Sequence, residues 1–545
     1  MSKFISIEEA LSLNKIGIFQ YRLVTMAGFL FMTDALEVTL LTFLSSCAGA
    51  EWNLNYAQKA TITGIVFIGI VLGSLFWGQV ADWYGRRFAF LASMGVIAGG
   101  GLLSGTSPNY EALILFRAIA GFGIGGMTVP FDLVSEFLPG PSRGFFLVFL
   151  EFFWCFGSMF VAGVAWASLE SLGWRMLIYI TIVPVVIVLI CSIIFVPESP
   201  RWLWIKGRSD EAMEVIRNAA LDNGVQIPPH IKLIPYSGGE VEEEASYWDL
   251  VSTAAARRIT FPLWVIWAMF GFTYYGTILF TTRLFSNHQD KSRADESSDS
   301  NQCEFNYPAI FLSASSEIIA VMLAVVVIDN VGRVKSQSGF YLLGAVTVVL
   351  MSFHDMPFAA VVVLAALTRI CAMASTLSTW VATPELLSTH VRTVGHGSCA
   401  AVSKLCSFLS PYLVISSASA LEVGLILGFL QLVAAMAAHC LPETAGMVME
   451  EDKPAVGLAD SSSSAVERST DTGTGTGRCY HSSSSSSSSS SGMSSDRVPM
   501  LGMTDGSVEL TTVNRLHWFS AASPHQQQIS TSGAGAAFTA VPLDE

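Results

Sequence analysis

Long apolar runs separated by short polar stretches dominate the chain from residue 21 to residue 441. A run of about twenty apolar residues can cross a lipid bilayer as a helix. The pattern predicts twelve membrane helices, near residues 21–46, 60–81, 88–107, 111–135, 144–168, 174–196, 259–282, 305–328, 336–354, 357–381, 396–418 and 422–441. We therefore expect an all-α protein that crosses a membrane many times, with both chain ends on the same side.

A polar turn interrupts the apolar pattern twice in nearly the same way. Gly78 to Arg87 reads G-Q-V-A-D-W-Y-G-R-R, and Asp329 to Arg333 reads D-N-V-G-R. In each copy an aspartate can pair with a following arginine, and a glycine permits the tight reversal between two helices. The two aspartates are 329 − 82 = 247 residues apart.

A similar offset relates other polar positions on the two sides of the chain. The matching residues are Glu136 with Glu385, Arg143 with Arg392, Arg117 with Arg369, and Pro197 with Pro442. Because several independent positions share nearly one offset, the sequence indicates a duplicated six-helix unit.

The distribution of basic residues predicts the orientation in the membrane. Lys and Arg are concentrated on the loops that follow even-numbered helices: Arg86, Arg87, Arg143, Arg201, Lys206, Arg208, Arg257, Arg258, Arg333, Lys335 and Arg392. The opposite loops carry only Lys59, Arg175, Arg283, Lys291 and Arg293. Since basic loops face the cytoplasm, both termini are expected there.

Five parts follow from this organisation. They are a cytoplasmic N-terminal segment (1–20), a first six-helix half (21–196), a cytoplasmic linker (197–258), a second six-helix half (259–441) and a cytoplasmic tail (442–545). A short amphipathic helix is expected in the linker at 211–220. The serine-rich tail has no apolar period and cannot bury enough surface to fold, so we expect it to be disordered.

Composition agrees with a membrane protein and excludes several other classes. Hydrophobic residues make up 52% of the chain and charged residues 13%, and the mean hydropathy is +0.53. The net charge of −14 comes largely from loops and tail, and a nucleic-acid partner is not expected. The nine cysteines lack metal-ligand spacing, so no metal or cofactor is predicted. Cys47 and Cys303 are both expected near the outer face, where they can form a disulfide or remain free thiols.

The sequence contains no complete enzyme motif, and we expect a protein without catalytic activity. Residues 121–126 spell G-x-G-x-x-G, the spacing of a dinucleotide-binding loop. That loop requires a preceding strand and a soluble helix, whereas these glycines continue a membrane helix. Close packing between helices is therefore the better interpretation.

Charged residues inside the apolar runs are the candidates for function. A carboxylate in a membrane helix is costly unless it faces a cavity or a cation. Asp34 and Glu37 lie three residues apart and are expected to face one side of the first helix. Arg117, in the fourth helix, is the predicted partner of Asp34. Parting the two would let the carboxylate take a proton, which suits proton-coupled transport; a purely structural ion pair is the alternative.

Further charges are predicted at membrane depth in the fifth helix and in the second half. They are Glu151, Glu317, Arg369 and Lys404. Each either lines a path for solute and protons or forms an ion pair between helices. Phe152, Phe153, Trp154, Tyr274, Tyr275 and Trp380 can line such a path, or they can serve in packing.

The two turns and their neighbours are candidates for a gate. The predicted gating residues are Gly78, Asp82, Gly85, Arg86, Arg87, Glu136, Arg143, Asp329, Gly332, Arg333, Glu385 and Arg392. Our hypothesis is that their charges help to close the cytoplasmic face in one transport state.

Taken together, these motifs resemble those of major facilitator transporters. G-Q-V-A-D-W-Y-G-R-R is similar to the signature turn after the second helix of that superfamily, and R-A-I-A-G-F-G-I-G-G, from Arg117, resembles its fourth-helix motif. P-E-S-P-R-W-L, from Pro197, is similar to the end of the first half in sugar porters and organic ion transporters. F-Q-Y-R-L, M-T-D-A-L-E and V-P-F-D-L-V-S-E-F-L-P resemble synaptic vesicle glycoprotein 2-related transporters.

The resemblance spans about residues 8 to 445 and implies two parallel six-helix halves around a central site. The second turn reads D-N-V-G-R-V and lacks the second basic residue of the motif, so its lock is expected to be weaker. In sugar porters a first-helix aspartate and a fourth-helix arginine govern proton coupling, and Asp34 and Arg117 match those positions.

We therefore expect secondary-active transport of a small organic solute, an organic ion or a sugar-like compound, coupled to protons, by a monomer in a lipid bilayer. The intramembrane carboxylates favour a cation. The alternative is a scaffold or receptor on the same fold that acts through its tail. Intact turns in both halves and several intramembrane charges favour transport, because a scaffold needs neither.

Overall fold

The computed structural model describes residues 3–138, 140–236, 246–293, 303, 305–354, 356–388 and 390–444, without the side chains of 140–145, 147 and 287–293. Its long helices are α1 (Ile18–Glu51), α2 (Tyr56–Tyr84), α3 (Arg86–Gly105), α4 (Tyr110–Phe137), α5 (140–172), α6 (174–195), α7 (Ala254–Arg293), α8 (Tyr307–Val331), α9 (Arg333–Leu350), α10 (Phe358–Leu386), α11 (Arg392–Val414) and α12 (Ala420–His439). A break at Gly173, with φ of +77°, separates α5 from α6 within the run Gly140–Phe195. Almost all of the predicted tail lies outside the described residues.

The prediction of a twelve-helix membrane protein is confirmed. Within the described residues, nine helical stretches are long and apolar enough to span a membrane; one of them contains both α5 and α6, and α9 and α11 fall outside this set. Several helices begin before their apolar runs, at a polar residue that caps the first turn. Asn55 caps α2 and Ser419 caps α12, each through a reciprocal pair of hydrogen bonds with the side chain three residues on.

Glycines bring α2 and α4 into close contact. A Cβ atom on Gly121 would overlap the carbonyl of Val66, and one on Gly125 would lie 2.4 Å from the backbone nitrogen of Ser74. The G-x-G-x-x-G stretch is thus a packing surface between helices, as the sequence predicted. Its last residues form a 3₁₀ turn, Gly125–Met127, inside α4.

We call the side that carries the turns α2–α3 and α8–α9 the basic face, and the other side the opposite face. On the basic face a small folded unit forms outside the helical core. Strand β1 (Lys3–Ile5) pairs in parallel with β2 (Ile231–Leu233), and the short helices Ile7–Ser12, Pro200–Ile205 and Ser209–Asp222 lie around them. Apolar side chains of Ile5, Leu203 and Ile216 are buried together. The expected amphipathic helix at 211–220 is confirmed as Ser209–Asp222, whereas the strands and their packing into one unit were not predicted from the sequence.

Different parts of the linker attach to different halves. The Asn223 side chain accepts a hydrogen bond from the backbone N–H of Phe19 at 2.9 Å and donates to Gln20 at 2.7 Å, both at the start of α1. By contrast, Leu250, in the short helix Asp249–Ser252, accepts a hydrogen bond from Thr260 of α7 at 2.9 Å. Between them, the acidic residues Glu240 and Glu242 to Glu244 lie outside the described residues.

The α2–α3 and α8–α9 turns have the same geometry. Gly85 has φ of +106° and Gly332 has φ of +109°, in the left-handed region that favours glycine. Glu198 accepts a hydrogen bond from the N–H of Arg87 at 3.1 Å, and Glu443 accepts one from the N–H of Arg333 at 2.7 Å. Each carboxylate thus lies at the N-terminus of a helix, where the helix dipole stabilises it.

Replacing Gly85 tests how tightly this turn is built. We expect Gly85→Ala to lower the unfolding free energy by about 2–4 kcal/mol, because the new Cβ would overlap the Glu198 carboxylate at a positive φ. Gly207→Ala is the matched control: its φ is also positive, but no atom lies within 4 Å of the new Cβ. It should cost only about 1 kcal/mol. Equal thermal shifts of the two purified variants would contradict the role of Glu198.

Candidate functional site

Four carboxylic side chains are buried in the middle of the helical core. Asp34, Glu37, Glu151 and Glu317 are 2%, 6%, 7% and 0% exposed. An ionised carboxylate buried in this way is stable only with a cation and further hydrogen bonds. Their partners therefore indicate which of them are fixed in the structure and which are available for function.

Asp34 of α1 pairs with Lys404 of α11, so this ion pair joins the two halves. The Nζ atom of Lys404 lies 3.5 Å from Oδ2 of Asp34. It also donates to the hydroxyl of Tyr275 at 2.8 Å. The second carboxylate oxygen of Asp34 is buried without a hydrogen-bond partner. Half of this carboxylate is thus available to another donor.

Arg117 pairs with Glu37, and the prediction that it pairs with Asp34 is wrong. The Nη1 atom of Arg117 lies 2.5 Å from Oε1 of Glu37, and its Nε atom donates to Ser104 at 2.9 Å. Residues three apart on a helix point in directions that differ by about 60°. That difference directs Glu37 toward α4 and Asp34 toward α11.

The second half contains its own internal ion pair. Arg369 of α10 donates to Glu317 of α8 through Nη2 at 2.7 Å and through Nε at 3.1 Å. The hydroxyl of Tyr274 lies 3.3 Å from the same carboxylate oxygen, and the other oxygen has no partner. The two arginines that share the repeat offset therefore both bind buried glutamates, each within its own half.

Glu151 differs from the other three carboxylic groups. Among the described residues it has no ion-pair or hydrogen-bond partner, although it is close enough to Glu317 for the two charges to repel each other. One turn along α5, the indole nitrogen of Trp154 is also buried without an acceptor. Buried polar atoms without a protein partner mark places where water or a ligand can bind.

Aromatic side chains from both halves surround these charges. Phe67 of α2 contacts Tyr275 with ring centroids 4.7 Å apart, and Trp154 contacts Tyr274 at 6.0 Å. The ammonium of Lys404 lies 5.1 Å from the ring centre of Tyr275 and 6.0 Å from that of Phe67. The charges and rings together form one central site at the boundary between the halves.

The halves also meet above and below this site. On the opposite face, Cys47 of α1 forms a disulfide with Cys303, with Cα atoms 4.8 Å apart, and Phe43 packs against Phe305 at 5.0 Å. On the basic face, Phe131 of α4 stacks on Trp380 of α10 at 6.3 Å. The central site is therefore bounded by contacts between the halves on both sides.

The predicted gating charges form one cluster in each half. Arg86 lies 2.5 Å from Asp82 and 3.7 Å from Glu136, and Arg333 lies 3.3 Å from both Asp329 and Glu385. Within the described part of the chain these contacts stay inside their own half. Gly78 has no close neighbour at its Cβ position, Arg392 begins α11, and the side chain of Arg143 lies outside the described residues.

Two residues of these clusters and one of the central site were not among the predicted site residues. Glu198 and Glu443 cap the helices after the two turns; their places in the repeated P-E-S and P-E-T segments were the available signal. Phe67, which packs at the central site, carried no signal in a chain that is 11% aromatic.

Twelve helices in two similar halves, with buried charges where the halves meet, define a membrane transporter of the major facilitator fold. The chain belongs to the sugar (and other) transporter family, whose sequence profile matches residues 13–454. Its fold and relatives are those of solute transporters rather than enzymes.

Curated relatives support this assignment. The chain is 33% identical over 457 residues to the putative transporter svop-1 of Caenorhabditis elegans, covering 82% of this chain and 87% of that one. It is 30% identical to organic cation/carnitine transporter 7 of Arabidopsis thaliana (75% and 88% covered). It is 29% identical to the synaptic vesicle 2-related protein of Rattus norvegicus (82% of each).

Solved structures share the fold at lower identity. The partially occluded inward-open xylose transporter XylE from E. coli superposes with a TM-score of 0.58 at 19% identity, covering 79% of this chain and 100% of that one. The nucleoside transporter NupG superposes with a TM-score of 0.55 at 14% identity, covering 77% and 99%. The arrangement of helices is thus that of a major facilitator transporter.

Two buried glutamates allow a direct test of the ion-pair assignment. Glu37→Gln leaves Arg117 buried without its counter-ion and should lower stability by about 3–5 kcal/mol. Glu151→Gln removes no ion pair and should leave stability nearly unchanged. Thermal unfolding of the purified variants measures both. An equal loss in the two variants would contradict the assignment.

Proposed function

We propose that this protein carries a small organic solute across the membrane by alternating access and couples the movement to protons. The observation that carries the proposal is the Asp34–Lys404 ion pair. It joins the two halves, and its buried carboxylate has one oxygen without a partner. A contact of this kind has to break when the halves separate. The strength of the ion pair therefore differs between the transport states. A ligand can shift the equilibrium between two states only if it interacts differently with each of them.

Glu151 is the best candidate for the coupling proton. A charged carboxylate without a cation is far more costly to bury than a neutral one, so the side chain favours a proton when closed off from water. When one face opens and water enters, the charged form becomes accessible. Asp34 is the first candidate from the sequence. Its carboxylate is paired with the Lys404 ammonium, so its charge is already neutralised without a proton.

The orientation and the role of the turns belong to the same proposal. The excess of basic residues favours the basic face as the cytoplasmic one, with both termini there. The clusters around Arg86 and Arg333 then hold the cytoplasmic ends of each half together while the halves move. Relatives named synaptic vesicle 2-related protein make a vesicle membrane one candidate location.

A scaffold or receptor on the same fold remains the alternative function. A scaffold would not need an ion pair between the two halves at membrane depth. Removing the two charges from water lowers stability, so such a pair is expected only where it has a function. Solute flux separates the two functions.

The decisive experiment is transport in vesicles that contain the purified full-length protein. A panel of radiolabelled sugars, organic cations, organic anions and zwitterions is offered with and without an inward proton gradient. We expect flux of at least one solute class and gradient-driven accumulation of that solute. No flux above protein-free vesicles, with a folded protein, would favour the scaffold.

Glu151→Gln tests the proton site in the same vesicles. The variant mimics a permanently protonated side chain, so exchange of solute should persist while gradient-driven accumulation is lost. The control is Glu111→Gln, an exposed glutamate at the start of α4. Accumulation that survives in Glu151→Gln would transfer the role to Asp34 or Glu37, each of which has a matching Gln or Asn variant.

The disulfide gives a test of alternating access that needs no solute. Cys47 and Cys303 lie in different halves, so the bond should limit separation on the opposite face. Thr61 lies on the same side, 2.9 Å from Tyr412 of the other half. With Thr61→Cys as reporter, replacing Cys47 and Cys303 by Ser should raise the labelling rate with an impermeant maleimide. Replacing the free Cys191 and Cys406 is the control, and equal rates would argue against the restraint.

A further inference from the structure

Asp34 and Lys404 together could bind a solute that carries one positive and one negative charge. Asp34 has a buried oxygen without a partner, and Lys404, whose side chain is 23% exposed, has only Asp34 and Tyr275 as polar partners in the described part of the chain. Both residues lie where the halves meet. The pair is therefore exchangeable in a way that the enclosed pairs Glu37–Arg117 and Glu317–Arg369 are not.

The surroundings of the Lys404 ammonium are those of an organic ammonium site. A carboxylate, a phenol hydroxyl and two ring faces surround it, with ring centres at 5.1 and 6.0 Å. Aromatic faces at such distances attract cations, and quaternary ammonium groups bind between them. The lysine thus occupies the position that a solute ammonium would take beside Asp34.

Charge balance decides which solute can replace the pair. A simple cation on Asp34 would leave Lys404 without a counter-ion, and a simple anion on Lys404 would leave Asp34 without one; both outcomes are unfavourable at membrane depth. A neutral polyol would leave the pair closed across the halves. A solute with both an ammonium and a carboxylate replaces both partners at once and keeps the site neutral.

We propose that the central site takes small zwitterions, of the amino-acid or betaine class, with the ammonium on Asp34, Phe67 and Tyr275 and the carboxylate on Lys404. This inference rests on the proposed transport function and specifies its substrate class. Binding of the zwitterion parts Asp34 from Lys404 and so releases the contact that joins the two halves.

A matched set of three probes tests the charge requirement. They are 4-(trimethylammonio)butanoate, its methyl ester and 5,5-dimethylhexanoate, which carry both charges, the positive charge alone and the negative charge alone on nearly the same shape. Binding to purified full-length protein is measured by calorimetry. We expect the zwitterion to bind at least about thirtyfold more tightly than either single-charge probe, because each of those leaves one charge of the site unmatched.

Single variants should shift this preference in opposite directions. Lys404→Gln should favour the ester, Asp34→Asn should favour the anion, and the double variant should bind the three probes with similar affinity. Lys404→Arg keeps the charge and should retain the preference for the zwitterion. The double variant has no unmatched ion in the folded protein. It is therefore expected to fold even if the single variants do not.

Two results would overturn the inference. One is a wild-type protein that binds none of the probes or prefers a single-charge probe. The other is a pair of single variants with the wild-type preference. Transport assays keep this result separate from the proposed function: flux of a sugar or a simple cation together with no betaine binding would reject the zwitterion class and retain the transporter. Absence of all flux would reject the transporter itself.

Discussion

Charge burial is the constraint on which the central part of this molecule depends. Water solvates an ion at the protein surface, but at membrane depth the chain has to supply the counter-ion itself. Glu37 and Glu317 meet arginines of their own half at hydrogen-bond distance. These pairs reinforce each half from within. Asp34 and Lys404 satisfy the same requirement across the boundary, so their mutual attraction depends on how close the halves are.

The duplicated turns extend this division of roles to the basic face. Arg86 and Arg333 each join the ends of several helices of one half, and Glu198 and Glu443 cap the next helix in each case. These contacts tie neighbouring helices of one half to each other. The Asp34–Lys404 ion pair and the Phe67–Tyr275 ring contact, by contrast, join one half to the other.

The helices, the repeat and the set of buried charges could be predicted from the sequence, because apolar run length and residue spacing determine them. The pairing of the charges could not. Depth along a helix follows from counting residues, but the direction of a side chain depends on rotation and tilt, which neighbouring helices determine. Hence Arg117 lies at the expected depth and binds Glu37 rather than Asp34. Strands β1 and β2 were missed because three-residue strands leave no periodic pattern.

The two boundaries of the central site differ in chemistry. On the basic face the described contact between the halves is a ring stack of Phe131 on Trp380, an interaction worth about 0.5–1.5 kcal/mol beyond its buried area. On the opposite face a covalent bond joins Cys47 to Cys303, and burial of Phe43 against Phe305 adds to it. Thermal motion can open a ring stack, whereas a disulfide breaks only by reduction or by exchange with another thiol. The central site is therefore bounded by a covalent link on one face and by a contact between rings on the other.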